Sequence, residues 1–160
     1  MIVPITLFVL GQAAPSEARQ FDFWVGEWDC VGRLSQGAGK WTETKARNTV
    51  RRILGGRVVE ENFRMTGLVG RSHSVYNPQR KVWQQTWVDD SGSYIALSGG
   101  MQGKEMVLRT LPNPATPERG NRMVFADITP KAFRWRWEAT TDGGKTWTLQ
   151  WELNYRRRAR

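Results

Sequence analysis

Apolar and polar residues alternate with period two along most of the chain. In Phe133-Arg134-Trp135-Arg136-Trp137-Glu138 every second residue is an aromatic ring and every other one is charged, so an extended strand puts the rings on one face and the charges on the other. The stretch 147–156 repeats this, with Trp147, Leu149, Trp151, Leu153 and Tyr155 opposing Thr148, Gln150, Glu152, Asn154 and Arg156. Ten segments carry such alternation or a β-rich composition: 28–34, 40–54, 58–65, 71–76, 81–88, 94–98, 105–111, 122–129, 133–140 and 147–156. Turn-forming clusters separate them, among them 35–39, Gly55-Gly56, Asn77-Pro78, Asp89-Asp90-Ser91-Gly92, Gly99-Gly100 and Asp142-Gly143-Gly144-Lys145. The longest interruption, 112–121, holds three prolines and reads as a surface loop. Short loops and the lack of a convincing amphipathic helix predict an all-β fold. A meander this long avoids open edges by closing, which gives a single antiparallel up-and-down β-barrel of about 8–10 strands.

The stretch Phe21-Asp22-Phe23-Trp24-Val25-Gly26-Glu27-Trp28-Asp29-Cys30 opens the folded part. If extended, it would carry two aromatics on each face, which a surface strand does not need. Gly26 suits a short turn into the strand, or a close backbone contact beneath a tryptophan that plugs the barrel end.

Ahead of it, Ile2 to Leu10 is an apolar run followed by small and polar residues, and residues 1–18 read as a cleaved signal peptide leaving 19–160 as the barrel domain. No Lys or Arg precedes the run and Pro4 interrupts it. Export to the periplasm or the medium follows as an expectation, with no transmembrane segment in the mature chain. Cys30, the single cysteine, has no internal disulfide partner and reads as a half-buried strand residue.

The chain has 160 residues and a formal net charge of +9, which raises the question of a polyanionic partner. The basic residues form no amphipathic helix and cluster only at Arg156, Arg157, Arg158 and Arg160, and no nucleic-acid-binding signature accompanies them. A specific nucleic-acid partner is therefore not expected. Oligomeric state is not legible.

With nine Trp, six Phe and three Tyr, much of the apolar area sits in large rings, and such a core can be a wall around a cavity. Trp83, Gln85 and Trp87 share a strand face, and a glutamine between inward tryptophans suits a ligand cavity, or a core where its amide is satisfied locally. Glu60 and Glu61 are adjacent within a strand, so one of them faces inward unless a bulge or strand end lets both reach water. Arg51 and Arg52 pose the same question. An inward carboxylate needs a cationic or hydrogen-bonding partner, for which Arg52, Arg64, Arg109 and His73 are candidates. His73 is the only histidine, so multi-histidine metal sites are excluded, and no nucleophile-elbow or phosphate-loop pattern occurs. Thr140-Thr141-Asp142-Gly143-Gly144-Lys145-Thr146-Trp147 fits the Asp-box pattern once; without repeats it reads as a turn device and not a glycosidase site.

Three stretches carry a family resemblance: the Phe21–Asp29 opening, Val75-Tyr76-Asn77-Pro78 before Trp83-Gln84-Gln85-Thr86-Trp87-Val88-Asp89, and the close from Thr141 to Arg157. Together they resemble the secreted bacterial proteins of the domain of unknown function 1579 group. The step Gly26-Glu27-Trp28 is similar to the Gly-x-Trp step of lipocalins and their calycin relatives. The resemblance implies a lipocalin-type barrel and brings no agreed catalytic residues. Some nitrobindin-like barrels hold haem through one histidine; His73 reads here as a satisfied, half-buried residue, and no cofactor is expected. The function expected is binding of an apolar or amphipathic small molecule, with Trp24, Trp83, Gln85, Trp87, Trp135 and Trp137 as wall and Glu61, Arg64 or Tyr76 as polar anchors. The alternatives are a barrel enzyme using an internal carboxylate as acid or base, and a structural or surface-binding module with a basic outer face.

Overall fold

A computed structural model describes residues 15–159. Two short 3-10 helices, Ser16–Arg19 and Asp22–Trp24, precede ten antiparallel strands: β1 (Gly26–Gly37), β2 (Lys40–Ile53), β3 (Val58–Met65), β4 (Leu68–Asn77), β5 (Val82–Asp89), β6 (Tyr94–Gln102), β7 (Glu105–Thr110), β8 (Gly120–Ala126), β9 (Ala132–Thr140) and β10 (Thr148–Arg157). Each strand pairs with its sequence neighbours, and β1 also pairs with β10, so the sheet closes without an edge. At the seam Cys30 lies opposite both Ala46 and Tyr155. Gly99 and Gly100 do not turn the chain; they run inside β6, and the positive φ of the following turn is taken by Gly103. The proline-rich connection reaches from Leu111 to Arg119.

Alternation fixes what faces inward. Phe133, Trp135 and Trp137 of β9 lie opposite Tyr155, Leu153 and Trp151 of β10, all on the interior side, while Arg134 and Arg136 lie outside. The alternation breaks between Leu149 and Trp151, where β10 bulges: Leu149 stands opposite Glu138 on the outer face instead of joining Trp151 inside. Trp147 is carried outward with it, and Arg122 lies over its ring at 4.3 Å. Cys30 is fully buried rather than half-buried.

The end of the barrel beneath β1 is filled by rings. The segment 21–25 is not extended as its alternation suggested, because its 3-10 turn places both Phe21 and Trp24 in the core. Phe21 packs edge-on against Trp83 and Phe125 at 4.8 and 5.4 Å, and Trp28 against Phe133 at 4.9 Å. Arg157 fastens this floor. Its guanidinium donates to the carbonyls of Val25, Phe23 and Pro130 at 2.8, 3.0 and 2.7 Å and lies 4.2 Å from the Trp28 ring centre. Gly26 is required there twice over, by a φ of +144° and because a Cβ would come within 2.0 Å of the guanidinium. Ala18 belongs to the same construction, since its carbonyl accepts from Arg52 at 2.9 Å. Of the expected leader, residues 1–14 lie outside the described residues.

Candidate functional site

Above this floor the interior is not filled. A cavity of about 190 Å³ is bounded by Trp24 and Tyr155 toward the floor, by Phe63, Trp135 and Trp151 along the wall, and by Leu68, Asp89 and Ile95 toward the opposite rim. The rings form a connected wall. Trp135 stacks on Trp137 with centres 6.4 Å apart and meets Trp151 edge-on at 5.4 Å, while Phe63 contacts Trp151 at 5.8 Å and Trp87 at 6.0 Å. Trp87 reaches its place because it lies over Gly70, where a Cβ would sit 2.1 Å from the indole. Its Nε1 donates to Asp89 at 2.8 Å, which orients both side chains.

The expected site residues divide into two groups. Trp24, Glu61, Trp87, Trp135 and Trp137 converge on the cavity. Trp83 is fully buried in the floor, where its Nε1 donates to Gln20, and Tyr76 packs against it at that same end. Gln85 is buried, and its amide is only half satisfied: Nε2 donates to Ser74 Oγ at 2.8 Å, while Oε1 is buried without a hydrogen-bond partner among the described residues. Arg64 is exposed on the outer face opposite Arg47 and Val69, because it neighbours the inward Phe63 along β3. Reasoning from sequence missed Asp89, Phe63, Leu68, Ile95, Leu97 and Met123 as lining residues, and also Trp151, Leu153 and Tyr155, which the alternation turns inward on the last strand without assigning them to the site. Phe63 shares parity with Glu61, and Asp89 shares parity with Trp87, so the pattern carried both signals; Asp89 was absorbed into a turn.

Glu61 is the inward member of the acidic pair, 6% exposed, while Glu60 faces outward beside His73. His73 is exposed, its side chain retaining 51% of its accessible surface, and it faces away from the interior. Among the described residues no cationic side chain meets Glu61. Its Oε1 accepts from Asn48 Nδ2 and its Oε2 from Ser72 Oγ, both at 2.6 Å, and Asn48 Nδ2 is also 3.1 Å from the Tyr155 hydroxyl. Burial pushes the Glu61 carboxyl up to about 7, against the opposing pull of these two hydrogen bonds. The Cys30 thiol and Tyr155 hydroxyl beside it are also pushed up by burial, so neither is a ready nucleophile near neutral pH. Asp89 is the reverse case. Hydrogen bonds from Ser91, Trp87 and Ser93 hold its carboxyl well below the usual range, so it stays ionised. Among the described residues no group of three or more His, Cys, Asp or Glu side chains is placed to hold a metal ion.

The Asp-box stretch is a turn. Asp142 Oδ1 accepts from the backbone N–H of Lys145 and Thr146, and Trp147 Nε1 donates to the Gly144 carbonyl.

Fold and interior define the class: an up-and-down antiparallel β-barrel with a packed aromatic floor and an aromatic-walled cavity above it. Within that class the chain belongs to the family described as protein of unknown function DUF1579, which matches residues 14–157. Among solved structures it resembles Rv2717c from M. tuberculosis, with a TM-score of 0.60 and 11% identity over 92% of this chain and 100% of that one. At that identity the likeness is one of fold. No curated protein matches the chain. No helix among the described residues is long and apolar enough to cross a membrane.

Proposed function

We propose that this protein binds an apolar or amphipathic small molecule inside the barrel. The observation that carries the reading is the contrast between the two ends: below, interlocked rings fill the space, while above, a ring-lined space of about 190 Å³ is left open. About 150 Å³ suffices for a benzene in an apolar cavity, so the larger space here suits a small aromatic or a short chain. Titration with naphthalene is expected to change tryptophan emission saturably at about one site per chain. Trp135→Ala should weaken that response and cost less than the roughly 3 to 5 kcal/mol of a packed tryptophan, since the ring faces open space on one side. A full packing cost with no saturable response to any lipophile would mean a solid barrel and end the reading.

A second reading has one observation in its favour. A carboxyl held near pH 7 at a cavity wall is what a general acid or base requires. Were Glu61 such a group, Glu61→Gln would lose orders of magnitude in rate on a turned-over ligand while binding was largely kept.

Export is also proposed, from the apolar run at residues 2–10. N-terminal sequencing of protein from its own host should find a start between Ala14 and Arg19; an intact Met1 in the cytoplasm would end that idea.

A further inference from the structure

We propose that the cavity is built for a small organic ammonium ion, its charged nitrogen set against Glu61 and its apolar body among the tryptophan faces. This rests on the reading of the cavity as a binding site and adds the charge of what it takes.

The argument begins with an imbalance. The chain carries 24 basic residues, yet among the described residues the charged side chains lining the cavity are Glu61 on the wall and Asp89 at the rim, both carboxylates. The groups around Glu61 come from four other strands: Cys30 from β1, Asn48 from β2, Ser72 from β4 and Tyr155 from β10. None is a cation. Arg57, Arg64, Arg71 and His73, basic residues near it in sequence, are all exposed. Each Glu61 oxygen accepts one hydrogen bond from the protein, which leaves lone pairs for a further donor, and an ammonium group supplies up to three N–H bonds.

The wall fits the same ligand. Indole faces carry negative electrostatic potential and are the strongest aromatic partners for a cation. Trp87, Trp135, Trp137 and Trp151 present such rings around the space that Glu61 and Asp89 border. A carboxylate ligand would instead bring a third negative charge into a mainly apolar volume. A neutral ligand would leave Glu61 buried without a counter-charge above its titration point.

The test uses tryptophan emission with three ligands of one shape: phenethylamine, 2-phenylethanol and phenylacetate. The amine should bind at least tenfold tighter than the alcohol at pH 8, and phenylacetate weakest. Because the amine pairs with ionised Glu61, binding it releases a proton at lower pH, so its affinity should rise roughly tenfold per pH unit toward about 7 and then level off, while that of the alcohol does not rise. In Glu61→Gln the ratio of the two affinities should fall to within about threefold. The wild-type pH profile is independent of whether that variant folds. Equal or better binding of the alcohol, or tightest binding of phenylacetate, overturns the ammonium inference and leaves a cavity that binds neutral or acidic ligands. No saturable response to any of the three, nor to naphthalene, overturns it together with the binding function itself.

Discussion

At the scale of single residues, Glu61 decides most. Its folded-state carboxyl titrates near 7 against an ordinary 4.5, so between those values the folded protein holds a proton that the unfolded chain has released. Its contribution is therefore most favourable below about 4.5 and is lost as pH rises to about 7, a change of about 3 kcal/mol for a shift of this size. Glu61→Gln keeps both neighbours, with the amide oxygen accepting from Asn48 and the amide nitrogen donating to Ser72 Oγ. Denaturant titrations should find the variant more stable than wild type at pH 8, with the gap shrinking toward pH 5. A gap that stays constant with pH would mean that Glu61 is ionised throughout. Asp89 and Asp142 work in the opposite direction and a different window: both are depressed by hydrogen bonds, so the stability they add is present above about 3.8 and is lost only as pH falls below it. The inward turn of Glu61 or Glu60 followed from their adjacency in a strand. Its partners did not, because Asn48, Ser72 and Tyr155 arrive from three other strands and their convergence depends on register.

At the scale of elements, the ten strands and their order follow from period-two alternation and turn chemistry, and closure follows from their number. The bulge in β10 does not: Gln150 is an ordinary strand residue, and only pairing with β9 shows that Trp147 and Leu149 change sides there. The 3-10 turn at Asp22–Trp24 was hidden for a related reason, since Phe21 and Trp24 become neighbours only when the chain coils beneath the barrel. That coil is held from the far end of the sequence by Arg157. Arg157→Ala removes hydrogen bonds to three carbonyls and a ring contact, and is expected to lower stability by about 2 to 3 kcal/mol in denaturant titration. Arg157→Lys should recover less than half of this, because an ammonium on a flexible stem does not reproduce the planar fork that spans Phe23, Val25 and Pro130. A wild-type midpoint in Arg157→Ala would show that ring packing alone holds the floor.

At the scale of the whole molecule, the charge pattern sets inside against outside. The interior cavity is bordered by carboxylates, whereas the +9 net charge resides mainly on the outer face. That the interior holds open space was not legible from alternation, which assigns Trp135 and Trp137 inward whether or not their rings meet others across the barrel; it depends on the summed side-chain volumes and the barrel's width. The outer charge bears on the remaining alternative, a surface-binding module. Many of its arginines are already engaged with acids around the barrel, as in Arg33 with Glu152, Arg122 with Glu138, Arg134 with Asp127 and Arg136 with Glu105. Three of the four pairs gather on the neighbouring strands β7 to β9, with Arg134 and Arg136 both on β9, yet each arginine there has an acid beside it, so a polyanion laid on that face meets both signs of charge. Its affinity is then mainly counterion release from a few phosphates or sulfates, which weakens steeply with salt. On immobilised heparin the protein should elute at moderate ionic strength, and double-stranded DNA of differing sequence should compete equally well. Retention at high salt with selectivity among polyanions would instead require a shaped basic surface, and the module reading would then displace the cavity as the main function.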